Sequence, residues 1–543
     1  MKDRILVIIK SMIFLAVVTF LFVTARDFGD IKISRSDVNL IIYGDTISSE
    51  YNPFVEDGHI FLSLDTVSQF IDEELFYDED TQKVIVTTED ALYKFTVGKN
   101  IATKNLREYD AKACCRIVDD SIYIDMNLVK DIYGIKLEYN EETNAISIDK
   151  LDTDDLNLNY NEVKLYSDIN TNSDILEVLD KTNTVTVYPD SLEHSRWYKV
   201  KSDSGKIGYI EKAAVTLEKE EEPIAEETAE EEKLIMFWQY GSSLDTLGDK
   251  IDGVNVVMPT WYEIADENGN VSEDYSEDYY NKAKDNGYDI WPIITNGLDN
   301  PELDKKQVTS EIMNDEQKRE TLIRNIISII EDNNLDGINI DFEGMYAEDK
   351  YMYTQFLREL YPLVRETGAK LSVDIYFTNY IDRQGVGKAC DYVMLMGYDQ
   401  RGEWSESPGS ISEIGWVENN IASLINDSQI PSSKIILGVP FYTRMWNVEE
   451  DGTFTTDVYS MSDSQEFLED YALTPTMDNI SGQNYIEVVL DDITHKLWIE
   501  DAESMAKRAD IVIEYNLAGI TAWQKGFETQ DIWEVLKDKL KQE

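Results

Sequence analysis

From residue 233 onward, short apolar runs alternate with longer stretches whose apolar positions recur every three or four residues. The runs are LIMFWQY (234–240), GVNVVMPTW (253–261), DIWPIIT (289–295), GINIDFE (337–343), LSVDIYF (371–377), YVMLMGYD (392–399), IILGVPFY (435–442) and GITAWQK (519–525). Runs of this length and composition read as buried strands. The stretches between them, such as ETLIRNIISIIEDNN (320–334) and MYTQFLRELYPLVRETG (352–368), read as amphipathic helices. Eight strand–helix units in this order predict an α/β fold, a (β/α)8 TIM barrel over 233–543. A doubly wound open sheet would carry a glycine-rich phosphate loop after its first strand, and the sequence has none. The long interval before the last run contains FTTDVYS and YIEVVLD, which predicts a small β-rich insertion there.

The preceding half of the chain has a different pattern. Residues 60–86 (IFLSLDTVSQFIDEELFYDEDTQKVIV) and 122–148 (IYIDMNLVKDIYGIKLEYNEETNAISI) repeat at a constant offset, with Ile60 matching Ile122, Val67 matching Val129 and Thr81 matching Thr143. Each copy predicts a strand, a helix and a hairpin, so 36–150 is expected to be a duplicated α+β stalk. It resembles the copper-amine-oxidase N-terminal-like domain, which implies a spacer without copper chemistry. Residues 158–217 alternate over short runs (VTVYP, WYKVKS, IGYIEK) and predict a small all-β domain. With Trp197, Tyr198, Gly205, Gly208 and Tyr209 it resembles a bacterial Src-homology-3-like module. Residues 218–232 (EKEEEPIAEETAEEE) have no apolar period and read as an extended acidic linker. Residues 1–30 hold an apolar run, Ile5 to Val23, behind Lys2 and Arg4. That pattern predicts a single membrane span with the bulk of the chain outside the cytoplasm, or a signal peptide if Val23-Thr24-Ala25 is cleaved.

Charge and composition narrow the chemistry. Among 543 residues, 107 Asp and Glu against 49 Lys and Arg give a net charge of −58, which excludes a nucleic-acid partner. Three Cys cannot build a disulfide framework, and three His leave little for a His-based metal site.

Chemistry in a barrel of this kind sits at the C-terminal ends of the strands. The fourth run reads LDGINIDFE over 335–343. Side chains alternate faces along a strand, so Asn339, Asp341 and Glu343 share one face and Ile338, Ile340 and Phe342 the other. The apolar face meets the helices, which turns the polar one into the barrel mouth. Two carboxyls this close in a low dielectric titrate together, and one is driven above its ordinary range, as a general acid requires.

These residues resemble the Asp-x-x-Asp-x-Asp-x-Glu signature of glycoside hydrolase family 18, and three other strand ends agree with it: MLMGYD (394–399), GVPFYTR (438–444) and GITAWQ (519–524). Asn339 departs from the signature, standing where chitinases carry the middle Asp. With Phe342 in place of Trp, it is more similar to the spore-cortex and peptidoglycan branch. The resemblance implies substrate-assisted retaining cleavage after N-acetylglucosamine, with peptidoglycan favoured over chitin or N-glycans and a catalytically silent carbohydrate-binding barrel as the remaining reading. It implies Glu343 as acid and base, Asp341 and Tyr398 as partners of the substrate acetamide, and Trp523 as the sugar platform. Asp399, Met396, Asn339, Tyr442, Arg444 and Trp261 follow as further substrate contacts. An anionic wall would repel a chain of this charge at low salt, and activity is expected at mildly acidic pH.

Overall fold

A computed structural model describes residues 38–48, 53–112, 114–151, 153, 155–188, 196–216, 232–241, 247–297 and 303–541. The chain forms two compact units. One comprises 1–75, 97–100 and 111–219; the other comprises Phe76–Thr96, Ile101–Asp110 and Glu220–Glu543.

The larger unit is built on a closed barrel of eight parallel strands. In chain order these are β1 (Leu234–Gln239), β2 (Val256–Ile264), β3 (Ile293–Thr295), β4 (Gly337–Asp341), β5 (Lys370–Ile375), β6 (Tyr392–Met396), β7 (Ile435–Pro440) and β8 (Gly519–Trp523). Each pairs with its sequence neighbours, and β1 pairs with both β2 and β8, which closes the ring. Alternation along the strands makes two cores. Ile338, Ile340 and Phe342 of the β4 segment point outward into a layer shared with the helices. Met236, Trp238, Met258, Met394 and Ile436 fill the interior. Helices start and stop where capping chemistry allows. Asp315 accepts from the backbone N–H of Gln317 and Lys318 to begin Glu316–Asn333, and Asn334, in the left-handed region at φ 47°, ends it. The expected insertion lies between β7 and β8. Tyr442–Val448, Phe454–Ser460, Thr476–Asp478, Gln483–Leu490 and Ile493–Ile499 form an antiparallel five-stranded sheet, with helix Met461–Asp470 between its second and third strands in the chain.

A further antiparallel sheet belongs to this unit, although its strands come from the duplicated region: Phe76–Asp78, Lys83–Thr87, Leu92–Thr96, Ile101–Lys104 and Arg107–Asp110. It contributes Ile85 and Leu92 to the outer core of the barrel. It also sends Lys94 into a buried charge cluster. The Lys94 ammonium is 2.7 Å from Glu316, 3.0 Å from Glu320 and 3.0 Å from Glu359, and Arg319 meets Glu359 at 2.9 Å. Burial works against the charge on Lys94, but Glu359, Glu316 and Glu320 outweigh it and hold the ammonium above its ordinary range. Burial likewise opposes the charge on Glu320, and Lys94 and Arg324 overcome it, bringing its carboxyl down to about 2.

The smaller unit holds both copies of the repeated strand, His59–Ser63 and Ser121–Asp125, paired antiparallel, with Ile124 opposite Leu62. Each copy continues into a helix, Leu64–Phe70 in the first and the single turn Met126–Val129 in the second. The second copy's hairpin, Ile135–Asn140 with Ala145–Lys150, lies in a four-stranded sheet with Asn39–Ile42 and Asp45–Ile47. Residues 155–211 supply a six-stranded antiparallel sheet around Leu165, Val185, Val187, Val200 and Ile210.

One expectation is corrected. The segment 1–30 lies outside the described residues, and among the described residues no helix is long and apolar enough to cross a membrane. The first described elements are strands, whose apolar residues are spent on sheet cores. The single-pass membrane placement is withdrawn on that finding.

Removing one member of a buried ion cluster leaves its partners charged and unpaired, which costs about 3–5 kcal/mol. Lys94→Met is therefore expected to destabilise the larger unit by that order, measured as a lower denaturation midpoint in tryptophan fluorescence. An unchanged midpoint would show that Lys83 and Arg319 suffice to neutralise Glu316 and Glu359.

Candidate active site

A cleft of about 380 Å³ opens at the C-terminal mouth of the barrel. Its lining includes Asp341, Glu343, Tyr398, Met396, Asp399, Tyr442 and Trp523 of the residues expected from the sequence. Glu343 stands just past the end of β4 and is exposed at the rim. Its backbone is fixed by Asn296 beyond β3, whose side-chain oxygen accepts from the Glu343 N–H at 2.9 Å and whose amide donates to the Glu343 carbonyl at 3.0 Å. Asp341 lies deeper. Its Oδ1 is buried and accepts no hydrogen bond among the described residues. Burial, and next the negative charge of Glu343, push its carboxyl up to about 7, while Lys305 pulls the other way. The coupled carboxyl driven upward is thus the enclosed one.

The aromatic side of the cleft is built from β1, β6, β7 and β8. Tyr398 is buried beneath Trp238 and Tyr442, with ring centroids 6.4 and 6.1 Å away in edge-on arrangements. Burial first, then Tyr442 and the nearby carboxylates, raise its hydroxyl well above the usual phenol range, so it stays a neutral donor. The bend after β6 is held by the Tyr376 hydroxyl, which donates to the carbonyls of Tyr398 and Asp399, each at 2.7 Å. That bend leaves Asp399 at φ 55°, a conformation rare for a residue with a Cβ. Arg444 reaches to 4.0 Å from Asp399 and lies over the Trp404 ring. Trp523 tilts against Trp238 and stacks with the exposed Tyr240 at 6.2 Å.

Two expected contacts lie elsewhere. Trp261 is 1% exposed and packs among Tyr275, Tyr279 and Tyr262 on the helix side of β2. Met258 of β2 faces the barrel interior and Val257 the helix layer, so alternation turns Trp261 outward. It is removed from the sugar contacts. Asn339 points inward but is fully buried below the cleft, donating to Ser372 at 3.0 Å and Asp374 at 2.9 Å. It lies beneath the acids with no surface open to the cleft. Asp336, the first residue of the signature, is likewise structural: it pairs with Lys284 and accepts from the Ile290 N–H.

Sequence reading missed Asn296, Trp238, Asp374, Tyr376, Tyr380 and Trp404 at or around the cleft. Asp374 carried a usable signal: in LSVDIYF, Ser372 and Asp374 form the polar face of an otherwise apolar strand. Asn296 carried none, because its role is a hydrogen bond between adjacent loops.

A closed parallel barrel with carboxyls and aromatic rings converging at its C-terminal mouth has the layout of a (β/α)8 enzyme. The family described as "Glycosyl hydrolases family 18" matches residues 233–528, more than half of the sequence, and the chain belongs to that family: it is a glycoside hydrolase. Residues 41–148 match the copper amine oxidase N-terminal domain. A putative sporulation-specific glycosylase of Bacillus subtilis, YdhD, is 30% identical over 227 residues, 40% of this chain and 53% of that protein. The cortical fragment-lytic enzyme of the same organism is 26% identical over 274 residues, 46% of this chain and 59% of that protein. The chain thus spans little more than half the length of these two curated relatives. The crystal structure of the Bacillus cereus spore cortex-lytic enzyme SleL shares the fold, with a TM-score of 0.51 at 21% identity over 62% of this chain and 77% of that one.

A buried acid whose pKa is raised on folding loses stabilisation as pH climbs from the unfolded value to the folded one. For Asp341 that window runs from about 4 to about 7. Asp341→Asn should therefore gain thermal stability relative to the wild type across that window, by a few degrees at neutral pH, and show no gain at pH 3. Melting temperatures of the two proteins that run parallel across that range would overturn this expectation.

Proposed function

We propose that the enzyme cleaves β-1,4 bonds after N-acetylglucosamine in peptidoglycan, of the cell wall or spore cortex, by substrate-assisted retaining catalysis. The observation that carries this reading is the meeting of Asp341, Glu343, Tyr398 and Trp523 in one cleft. The peptidoglycan target draws its support from the cortical fragment-lytic relative.

In this mechanism Glu343, exposed at the rim, gives its proton to the glycosidic oxygen as the bond to the sugar breaks. The carbonyl oxygen of the substrate's own acetamide attacks the anomeric carbon from the other side and closes an oxazolinium ring. Asp341 faces the acetamide nitrogen and offsets the positive charge that develops there. The Tyr398 hydroxyl, kept neutral by burial, donates to the acetamide carbonyl and aims it. Trp523 presents a ring face to the sugar, with Tyr240 extending that surface outward. Glu343 then takes a proton from the water that opens the ring, so the acid is restored and configuration is retained. The scheme needs no metal or organic cofactor. The acetamide is the nucleophile, which limits substrates to N-acetylated sugars.

Glu343→Gln keeps the shape and removes the proton in flight, a loss of about 10²- to 10⁴-fold in turnover. The test is reducing-end release and product mass spectrometry on purified peptidoglycan and spore cortex, with chitin oligomers and an N-glycan in parallel. New reducing ends at N-acetylglucosamine from the wild type, absent with Glu343→Gln, support the reading. Release from chitin or the N-glycan alone would retain the mechanism and overturn the target. Tight sugar binding with no turnover would make the barrel a binding protein.

A further inference from the structure

We propose that Asp374 is a positioning residue for catalysis, forming with Asp341 a carboxyl pair that shares one proton and keeps Asp341 poised for the acetamide. The inference rests on the proposed mechanism, but its evidence is the packing of β4 against β5. Asn339 pairs with Ser372 and Ile340 with Val373 across these parallel strands. Asp341 and Asp374 come next on each, and both line the cleft. Asp374 is 4% exposed and accepts from the Asn339 amide at 2.9 Å, while the Asp341 Oδ1 accepts no hydrogen bond among the described residues.

The amide at 339 is the informative feature. An aspartate there would add a fourth carboxyl to Asp341, Glu343 and Asp374. The asparagine instead donates to Asp374 and to Ser372, fixing the Asp374 carboxyl on the neighbouring strand. The acid missing from the signature on β4 is thereby supplied from β5. Burial and the charge of Asp341 hold Asp374 well above the ordinary carboxylate range, with Asn339 acting against them and Glu343 adding to the rise. Lys305 draws Asp341 the other way, and the Tyr353 and Tyr398 hydroxyls, which feel the charges of both carboxyls, are themselves raised and neutral. Adjacent buried carboxyls in such surroundings lose their protons in two separate steps, and between the steps they hold one proton together.

The proton balance closes over a turnover. Once Asp341 has ionised, the pair carries one proton and one negative charge through the turnover. When Glu343 protonates the leaving oxygen, the shared proton settles on Asp374 and the charge on Asp341, opposite the oxazolinium. When water opens the ring and Glu343 regains its proton, the pair shares again. Without that proton three carboxylates would stand together.

Asp374→Asn keeps the contact with Asn339 and cannot take up or release a proton. An amide is a weaker donor to the Asp341 carboxylate than a carboxylic acid, so Asp341 ionises at higher pH. The acid limb of the kcat profile on a soluble N-acetylglucosamine oligosaccharide is expected to move up by about half a pH unit or more. Combining Asn339→Asp with Asp374→Asn puts the second carboxyl back beside Asp341, on its own strand, and is expected to return the limb to the wild-type position. A limb that stays in place in Asp374→Asn, whatever the loss in kcat, or one that the exchange leaves displaced, overturns the proposal. If Asp374→Asn does not fold, the exchange variant alone decides, by matching the wild-type limb or missing it. Should the wild type turn over none of the substrates, the proposed function fails separately, and the pair is judged by melting. Asp374→Asn must then gain stability relative to the wild type as pH rises above the ordinary carboxylate range, and parallel curves would overturn it.

Discussion

Closing eight parallel strands into a ring forces every second side chain into a space that water cannot fill. Most of those positions here are met by Met, Trp and Ile, which is the ordinary solution. On β4 and β5 they are met by Asn339, Asp341, Ser372 and Asp374, and these polar groups must satisfy one another. The low dielectric that makes such a set costly also raises its carboxyls above their ordinary range. The chemistry of the cleft and the closure of the barrel are thus one constraint.

The aromatic groups act on the same site from the opposite wall. Trp238 and Tyr442 each lean edge-on against Tyr398, which holds its ring in place at the cleft. Tyr376 holds the turn that carries Asp399 in a left-handed conformation. Rigid supports of this kind let a side chain be aimed before a substrate arrives, which is what electrostatic catalysis depends on.

A second buried charge set has a different purpose. Lys94 reaches from the five-stranded sheet into Glu316, Glu320 and Glu359 on the outer helices. Desolvating those charges is unfavourable in itself, and their close pairing offsets that cost. The cluster ties residues of the duplicated region to the helices of the catalytic unit.

Strand and helix periods, with the alternation of LDGINIDFE, were enough to determine the barrel, the order of its strands and the face that carries Asp341 and Glu343, because those properties are local. The sequence also contained Asp374 in a legible position, yet not its neighbour, since the register of β4 on β5 exists only once the ring closes. Trp261 shows the same limit from the other side: an aromatic at a strand end looks like a sugar contact until parity turns it toward the helices. The Asn296 clamp on Glu343, the Lys94 cluster and the division of the repeat between two units join residues distant in the chain. Local pattern cannot encode them, because their energy comes from burial and pairing that only the assembled tertiary structure creates.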